Sequence, residues 1–237
     1  KSPLGIESGL FGISFEKEGG EAYMQYSTFA AIDIGSYDVI LEIFEISKKQ
    51  GIRSVDKICH RMELGKDTYT LGKIRPEMEE ELCRVLADFV RIMEGYRVDD
   101  YRATASSAIS EASNSLYVLG KIHQLTGLSV TVLSNSEQRF LSYKALAAME
   151  DNFNKIIEKG TAILDLDGGS FQISLFDKDA LVTTQNIRMG SLRIRERLAG
   201  IQSETEHYEE MVEELIWNEV SSFKKMYLKD RKIENIM

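Results

Sequence analysis

Apolar runs of strand length alternate with longer runs of helical spacing along this chain, and their order sets the expected fold class. "TFAAIDIGSYDVILEIFEI" (28–46) reads as an apolar strand, a Gly-Ser turn and a second strand, and "IRSVDKICHRMEL" (52–64) continues as a third. "GKDTYTLGKI" (65–74) is bounded by glycines and reads as a loop. Pro76 then opens a helix in which Met78, Leu82, Val85, Leu86, Phe89, Val90 and Met93 follow the helical period. "DYRATASSA" (100–108) gives a short strand that enters a serine-rich loop. "SNSLYVLGKIHQLTG" (113–127) gives a helix with Gly127 as its cap, and "LSVTVL" (128–133) a further strand.

A helix begins again at "SNSEQRFLSYKALAAM" (134–149), where Ser134 and Glu137 have the spacing of a capping box and Phe140, Leu141, Leu146 and Met149 form the expected inner face. From Thr161 the strand, turn, strand, strand series repeats through "LVTTQNIRM" (181–189), followed by Gly190 and a helix. A last helix is expected from Ser203 to about Lys232, opened by a second box at Ser203 and Glu206. Its early acids (Glu204, Glu206, Glu209, Glu210) and late lysines (Lys224, Lys225, Lys229, Lys232) complement the helix dipole. "KIENIM" starts one more strand. The organisation expected is an extension over 1–26, a first lobe over 27–128 and a second, incomplete lobe over 129–237.

Composition narrows the class. With 237 residues and 43% apolar content, the chain suits two modest cores. It contains no run of about 18 apolar residues and no apolar signal segment, so a soluble protein of the cytoplasm is expected. Cys59 and Cys83 lack a C-x-x-C partner and are read as buried small apolar residues, and His60, His123 and His207 are too scattered to suggest a metal. A net charge of −9 argues against nucleic-acid and membrane partners, which need a basic face. Local anion binding stays open, because backbone N–H groups in glycine turns hold phosphate whatever the total charge.

Aligning "AIDIGSYDVILEIF" (31–44) with "ILDLDGGSFQISLF" (163–176) matches Asp33 to Asp165 and Phe44 to Phe176 without a gap, an offset of 132 residues. Each copy ends an apolar strand on an Asp and follows it with small residues. Either copy alone is an ordinary tight turn. Two matched copies, each beginning a meander, point to a phosphate cleft between related lobes, and a carboxylate beside a phosphate calls for a bridging cation such as Mg²⁺.

These residues resemble the exopolyphosphatase and guanosine pentaphosphate phosphohydrolase family, within the actin, sugar-kinase and chaperone ATPase superfamily. "AAIDIGSYDVIL" resembles a D-x-G-S-N-S turn, "ATASSAISEASN" the pattern A-x-A-T-S-A-x-R-E-A-x-N, "VLSNSEQRFLSYKAL" the pattern I-S-G-x-E-E-A-R-L, and "ILDLDGGSFQISLF" the pattern D-x-G-G-G-S-x-E-L; "RMGSLRIRERL" fits the segment that follows. The resemblance implies an α/β actin-like ATPase fold with two ribonuclease-H-like lobes of mixed sheet and flanking helices. It implies release of terminal phosphate from polyphosphate or guanosine pentaphosphate by water attack with Mg²⁺ or Mn²⁺. Phosphate contacts then fall on Gly35, Ser36, Tyr37, Gly168, Gly169, Ser170 and Arg188, and metal ligands on Asp33, Asp165, Asp167 and Glu111. A homodimer is among the assemblies it leaves open.

Departures from the family pattern fall on the chemistry. The family's water-activating Glu matches Gln138, beside Glu137, and the Glu that helps hold metal and water matches Gln172. A neutral amide accepts no proton, and loss of a general base costs about 10²–10⁴ in rate. Tyr37 replaces the turn Asn and Ser110 the Arg of the R-E-A stretch, while Asp38 and Asp167 are acids the pattern lacks. Glu137 already has a role as the partner of Ser134. Three functions are therefore carried forward: a phosphohydrolase with relocated carboxylates; an inactive relative that binds the same anions as a sensor or regulator; and an ATP-dependent kinase, which lacks support because no P-loop or G-x-G-x-x-G occurs.

Overall fold

The computed structural model describes residues 26–199, 207–229 and 231–237. The expected extension and the Ser203–Glu206 box lie outside these residues, except that Tyr26 is the first residue of a strand.

Strands β1 (Tyr26–Ile34), β2 (Asp38–Ser47) and β3 (Gly51–Arg61) form the expected antiparallel meander. Helix α1 (Leu64–Leu71), helix α2 (Pro76–Gly95), strand β4 (Asp100–Ala105), helices α3 (Ser107–Ser110) and α4 (Ser115–Thr126) and strand β5 (Val130–Val132) follow. The sheet order is β3-β2-β1-β4-β5, with β4 parallel to β1 and β5 parallel to β4. Residues 130–132 thus pair with the first sheet, beyond the division expected at 128.

The second half has α5 (Asn135–Met149), α6 (Phe153–Ile157), β6 (Thr161–Leu166), β7 (Phe171–Asp177), β8 (Ala180–Ile187), α7 (Ser191–Leu198), α8 (Tyr208–Tyr227) and β9 (Asn235–Ile236). Its sheet order, β8-β7-β6-β9, reproduces β3-β2-β1-β4, with β9 parallel to β6. The duplication extends to hydrogen-bond register. Asp33 pairs with Ile40 and Asp165 with Gln172, and the pairing slips between Ile43 and Phe44 in one meander and between Leu175 and Phe176 in the other, always at the same offset. A β-bulge is a designed feature of a strand. Its recurrence at matched positions marks two copies of one unit.

Burial follows the strand alternation. Ile32, Ile34, Val39, Leu41 and Ile43 pack with Leu82, Leu86 and Phe89 of α2 in one core. In the second lobe, Ile173, Leu175 and Ile187 pack against Ile194, Leu198 and Phe223, while Ile163 and Phe176 pack on the other face with Tyr143, Phe153 and Ile157.

Four local expectations are corrected. The segment read as a loop at 65–74 is largely α1: Leu64, Gly65, Asp67 and Thr68 are buried, and Gly72 in left-handed conformation caps the helix rather than bounding a loop. The inner face of α5 is carried by Tyr143 with Leu146 and Ala147; Phe140, Leu141 and Met149 are exposed, because the helix rests on Phe153 and Phe176 through the face that Tyr143 defines. Cys83 is buried, but Cys59 is exposed on β3, an edge strand, where its thiol faces Asp38. The last helix ends at Tyr227, so Lys229 and Lys232 lie past its last turn.

Candidate functional site

The two hairpin turns meet. Each is closed on itself, by Gly35 N–H donating to the Asp38 carbonyl and Asp167 N–H donating to the Ser170 carbonyl, both at 2.9 Å. Each is then fixed from outside by the start of the helix that follows its meander. Gly65 N–H of α1 donates to the Ser36 carbonyl at 2.8 Å, and Leu192 and Arg193 N–H of α7 donate to the Gly168 carbonyl at 3.0 and 3.1 Å. Glycine is required where these parts touch. A Cβ on Gly168 would lie 3.1 Å from the Ser36 Cβ, and one on Gly190 would overlap the backbone of Asp167, Gly168 and Ser170. The N–H groups of Ser36, Tyr37 and Gly169 donate to no group among the described residues, so three backbone donors in the turns are free for an anion.

Carboxylates gather at the same seam. Asp33 is the penultimate residue of β1, Asp38 begins β2, Asp165 lies on β6 and Asp167 in the second turn. Asp33 reaches solvent along the seam, yet the protein around it and then repulsion by Asp167 and Asp38 raise its carboxyl to about 6, against a weaker opposing hydrogen bond from Thr104. Burial also raises Asp167, helped by repulsion from Asp165 and Asp38; hydrogen bonds from Gly168 N–H, at 2.5 Å, and from Gln138 oppose the shift. Asp165 accepts a hydrogen bond from Ser142 Oγ of α5 at 2.8 Å.

Beside these acids lies a recess of about 10 Å³, room for about one water, lined by Asn135, Gln138, Arg139, Asp165, Asp167, Ser170, Gln172 and Asn186. Gln172 is 7% exposed and its amide makes no hydrogen bond among the described residues. Asn186 Nδ2 donates to Ser170 Oγ at 3.1 Å, and Arg139 donates to Ser136 Oγ at 3.1 Å. The two Gln positions therefore face one small polar space together with two of the acids.

The donors fit a hard divalent cation in kind, since every candidate is a carboxylate oxygen and their mutual repulsion lacks a countercharge. Among the described residues, no three His, Cys, Asp or Glu side chains group closely enough to hold one ion. That spacing suits an ion of the Mg²⁺ type, which one or two carboxylates hold while water and phosphate complete the shell.

Hydroxyls and cations close the rest of the seam. Tyr69 of α1 lies between the turns, its Oη 2.7 Å from Ser36 Oγ and 2.8 Å from Ser107 Oγ. The Arg193 guanidinium stacks 3.8 Å from the Tyr69 ring centre, donates from Nε to the Gly169 carbonyl at 2.9 Å and reaches both oxygens of Glu111 at 3.0 and 3.1 Å. Arg195 grips Glu63 with bonds of 2.9 and 2.5 Å and holds that carboxyl below its usual range.

The site residues expected from sequence separate accordingly. Asp33, Gly35, Ser36, Tyr37, Asp165, Asp167, Gly168, Gly169, Ser170, Gln138 and Gln172 come together. Glu111 is committed to Arg193, across the lobes. Glu137 is exposed and caps α5: its Oε2 accepts from Ser134 N–H at 2.8 Å and Ser134 Oγ at 2.7 Å, and Ser134 Oγ accepts from Glu137 N–H. Arg188 is exposed and bonds to none of these groups. Tyr69, Ser107, Arg139, Ser142 and Asn186 went unread in the sequence. For Tyr69 a signal existed: α7 after the second meander implies a matching helix after the first.

Duplicated meander sheets, with their first turns facing one another across a shared acidic seam, define a two-lobed α/β protein of the actin-like class. Within that class the chain belongs to the Ppx/GppA phosphatase family, whose model matches residues 42–236. It is 22% identical over 174 residues to a bifunctional 3-dehydroquinate synthase/phosphatase of Fusobacterium nucleatum, covering 71% of this chain and 26% of that protein. It is 25% identical over 144 residues to exopolyphosphatase 1 of Mycobacterium leprae, covering 60% of this chain and 41% of that one. The crystal structure of the Aquifex aeolicus member of the Ppx/GppA family superposes with a TM-score of 0.66 at 23% identity, over 90% of this chain and 65% of that chain. The chain thus spans about a quarter to two fifths of the curated relatives named. Among the described residues no helix is long and apolar enough to cross a membrane.

Proposed function

We propose that this chain carries the phosphate-binding seam of a phosphohydrolase that releases terminal phosphate from inorganic polyphosphate, with guanosine pentaphosphate as the competing substrate. The observation that carries this reading is the meeting of the two turns, with free N–H groups at Ser36, Tyr37 and Gly169 beside the coupled carboxylates Asp33, Asp38, Asp165 and Asp167. Family membership and likeness to an exopolyphosphatase support the reaction class.

In this reading the turns cradle the terminal phosphate through Gly35, Ser36, Tyr37, Gly168, Gly169 and Ser170. One or two of Asp33, Asp165 and Asp167 would hold Mg²⁺ or Mn²⁺, which would supply the charge that lets a phosphate approach four carboxylates and would favour ionisation of a water there. Gln138 and Gln172 would orient an attacking water by hydrogen bonds without accepting its proton. In this reading the protein acts in the cytoplasm.

A second reading, binding without turnover, is favoured by one observation: both amides face the recess where the family pattern has acids. Phosphate release by the full chain from long-chain polyphosphate and from guanosine pentaphosphate, with Mg²⁺ or Mn²⁺, decides between them. Release by the wild type supports hydrolysis. Release only from Gln138→Glu with Gln172→Glu supports binding alone. No release from either, with no rise in melting temperature on adding polyphosphate, sinks both.

A further inference from the structure

We propose that Tyr69 is the gate of the phosphate cradle, its phenol occupying between the two turns the hydroxyls and the space that a bound phosphate requires. The inference rests on the phosphate reading of this site. It concerns what controls entry.

The ring sits in a slot that two glycines make. A Cβ on Gly65 would lie 2.6 Å from the Tyr69 ring, and one on Gly169 would overlap the phenol oxygen and Ser107 Oγ. Gly65 precedes Tyr69 by one helical turn, so α1 itself provides half of the slot, and the second turn provides the other half. The phenol oxygen, Ser36 Oγ and Ser107 Oγ form a closed ring with sides of 2.7, 2.8 and 3.3 Å. Each hydroxyl is both donor and acceptor, so the three satisfy one another with no ligand present. Ser36 is fully buried in this arrangement.

A phosphate entering the cradle must take those hydroxyls and the space over Gly169. Tyr69 keeps a partly exposed edge, which leaves a path for the ring to swing toward solvent. Arg193 opposes that motion, because it stacks on the ring while bonded to Gly169 and Glu111. Displacing the phenol therefore costs two hydroxyl contacts and a cation–π contact, and apparent affinity falls by the fraction of molecules in which the gate is shut. Opening leaves Arg193 bonded to Gly169 and Glu111, a cation held beside the turn as the phosphate arrives.

The test is calorimetric binding of tripolyphosphate with Mg²⁺ to the full chain, its Tyr69→Phe and its Tyr69→Ala variants, together with hydrogen exchange of residues 35–37 and 167–170 in the absence of ligand. Tyr69→Ala is expected to bind about tenfold tighter than wild type and to exchange faster in both turns, with Tyr69→Phe between. Tyr69→Phe keeps the ring in its slot and serves if Tyr69→Ala fails to fold. Weaker or equal binding by the variants overturns the gate, because Tyr69 would then be a ligand contact or a bystander. Faster exchange with no binding by any form refutes the phosphate reading, and the gate with it. Binding by wild type with exchange unchanged in Tyr69→Ala overturns the gate alone.

Discussion

Gln138, in the first turn of α5, shares the lining of one small recess with Asp167, in the turn between β6 and β7, and its amide opposes the rise that burial imposes on that carboxyl. The amide neutralises nothing, but it lets an acid stand where the family pattern has a glycine. Gln138→Glu replaces this donor with a second carboxylate. Without metal the variant is expected to lose about 1–3 kcal/mol of stability, read from urea unfolding. With Mg²⁺ or Mn²⁺ it is expected to release phosphate from polyphosphate about 10²–10⁴ faster than wild type, the usual contribution of a general base. Equal rates would show that position 138 has no part in activating water.

Glu137 stands next to Gln138 in sequence and faces elsewhere. Its carboxylate completes a capping box with Ser134. Glu137→Ala should lower the melting temperature slightly and leave phosphate release unchanged. A fall in release larger than the loss of folded protein explains would return Glu137 to the chemistry.

Arg193 and Glu111 join the lobes through a partly buried pair with two hydrogen bonds. Arg193→Ala and Glu111→Gln should each destabilise by about 1–3 kcal/mol, and the double variant by less than their sum, because each single change strands a charged partner. Strictly additive losses in a urea series would mean that the pair contributes no coupling.

Asp33 sets a pH dependence. Its carboxyl holds a proton up to about pH 6 in the folded chain, against an ordinary value of 3.8. Between those values the folded state binds more protons than the unfolded one, so stability falls as pH rises from about 4 to about 6. In metal-free buffer, the melting temperature of wild type relative to Asp33→Asn is expected to drop over that interval and to level off above it. A flat difference would contradict the crowding of Asp33 by Asp167 and Asp38.

The hydrophobic pattern and the repeat determined the two meanders, the helix from Pro76, the caps at Ser134 and Gly127, and the match of Asp33 to Asp165. Those features are local: strand alternation, helical period and turn chemistry act within a few residues, so the order of residue types specifies them. The repeat carried more, since equal sequence offsets became equal registers and equal bulges. The structure alone decided which groups face one another. That α1 is a helix whose Tyr69 fills the seam, that Glu111 belongs to Arg193, that Arg188 is exposed and that Gln138 lies beside Asp167 all depend on how the lobes dock. Such contacts join residues dozens of positions apart, and their partners are selected by packing and charge in three dimensions, which no period along the chain encodes.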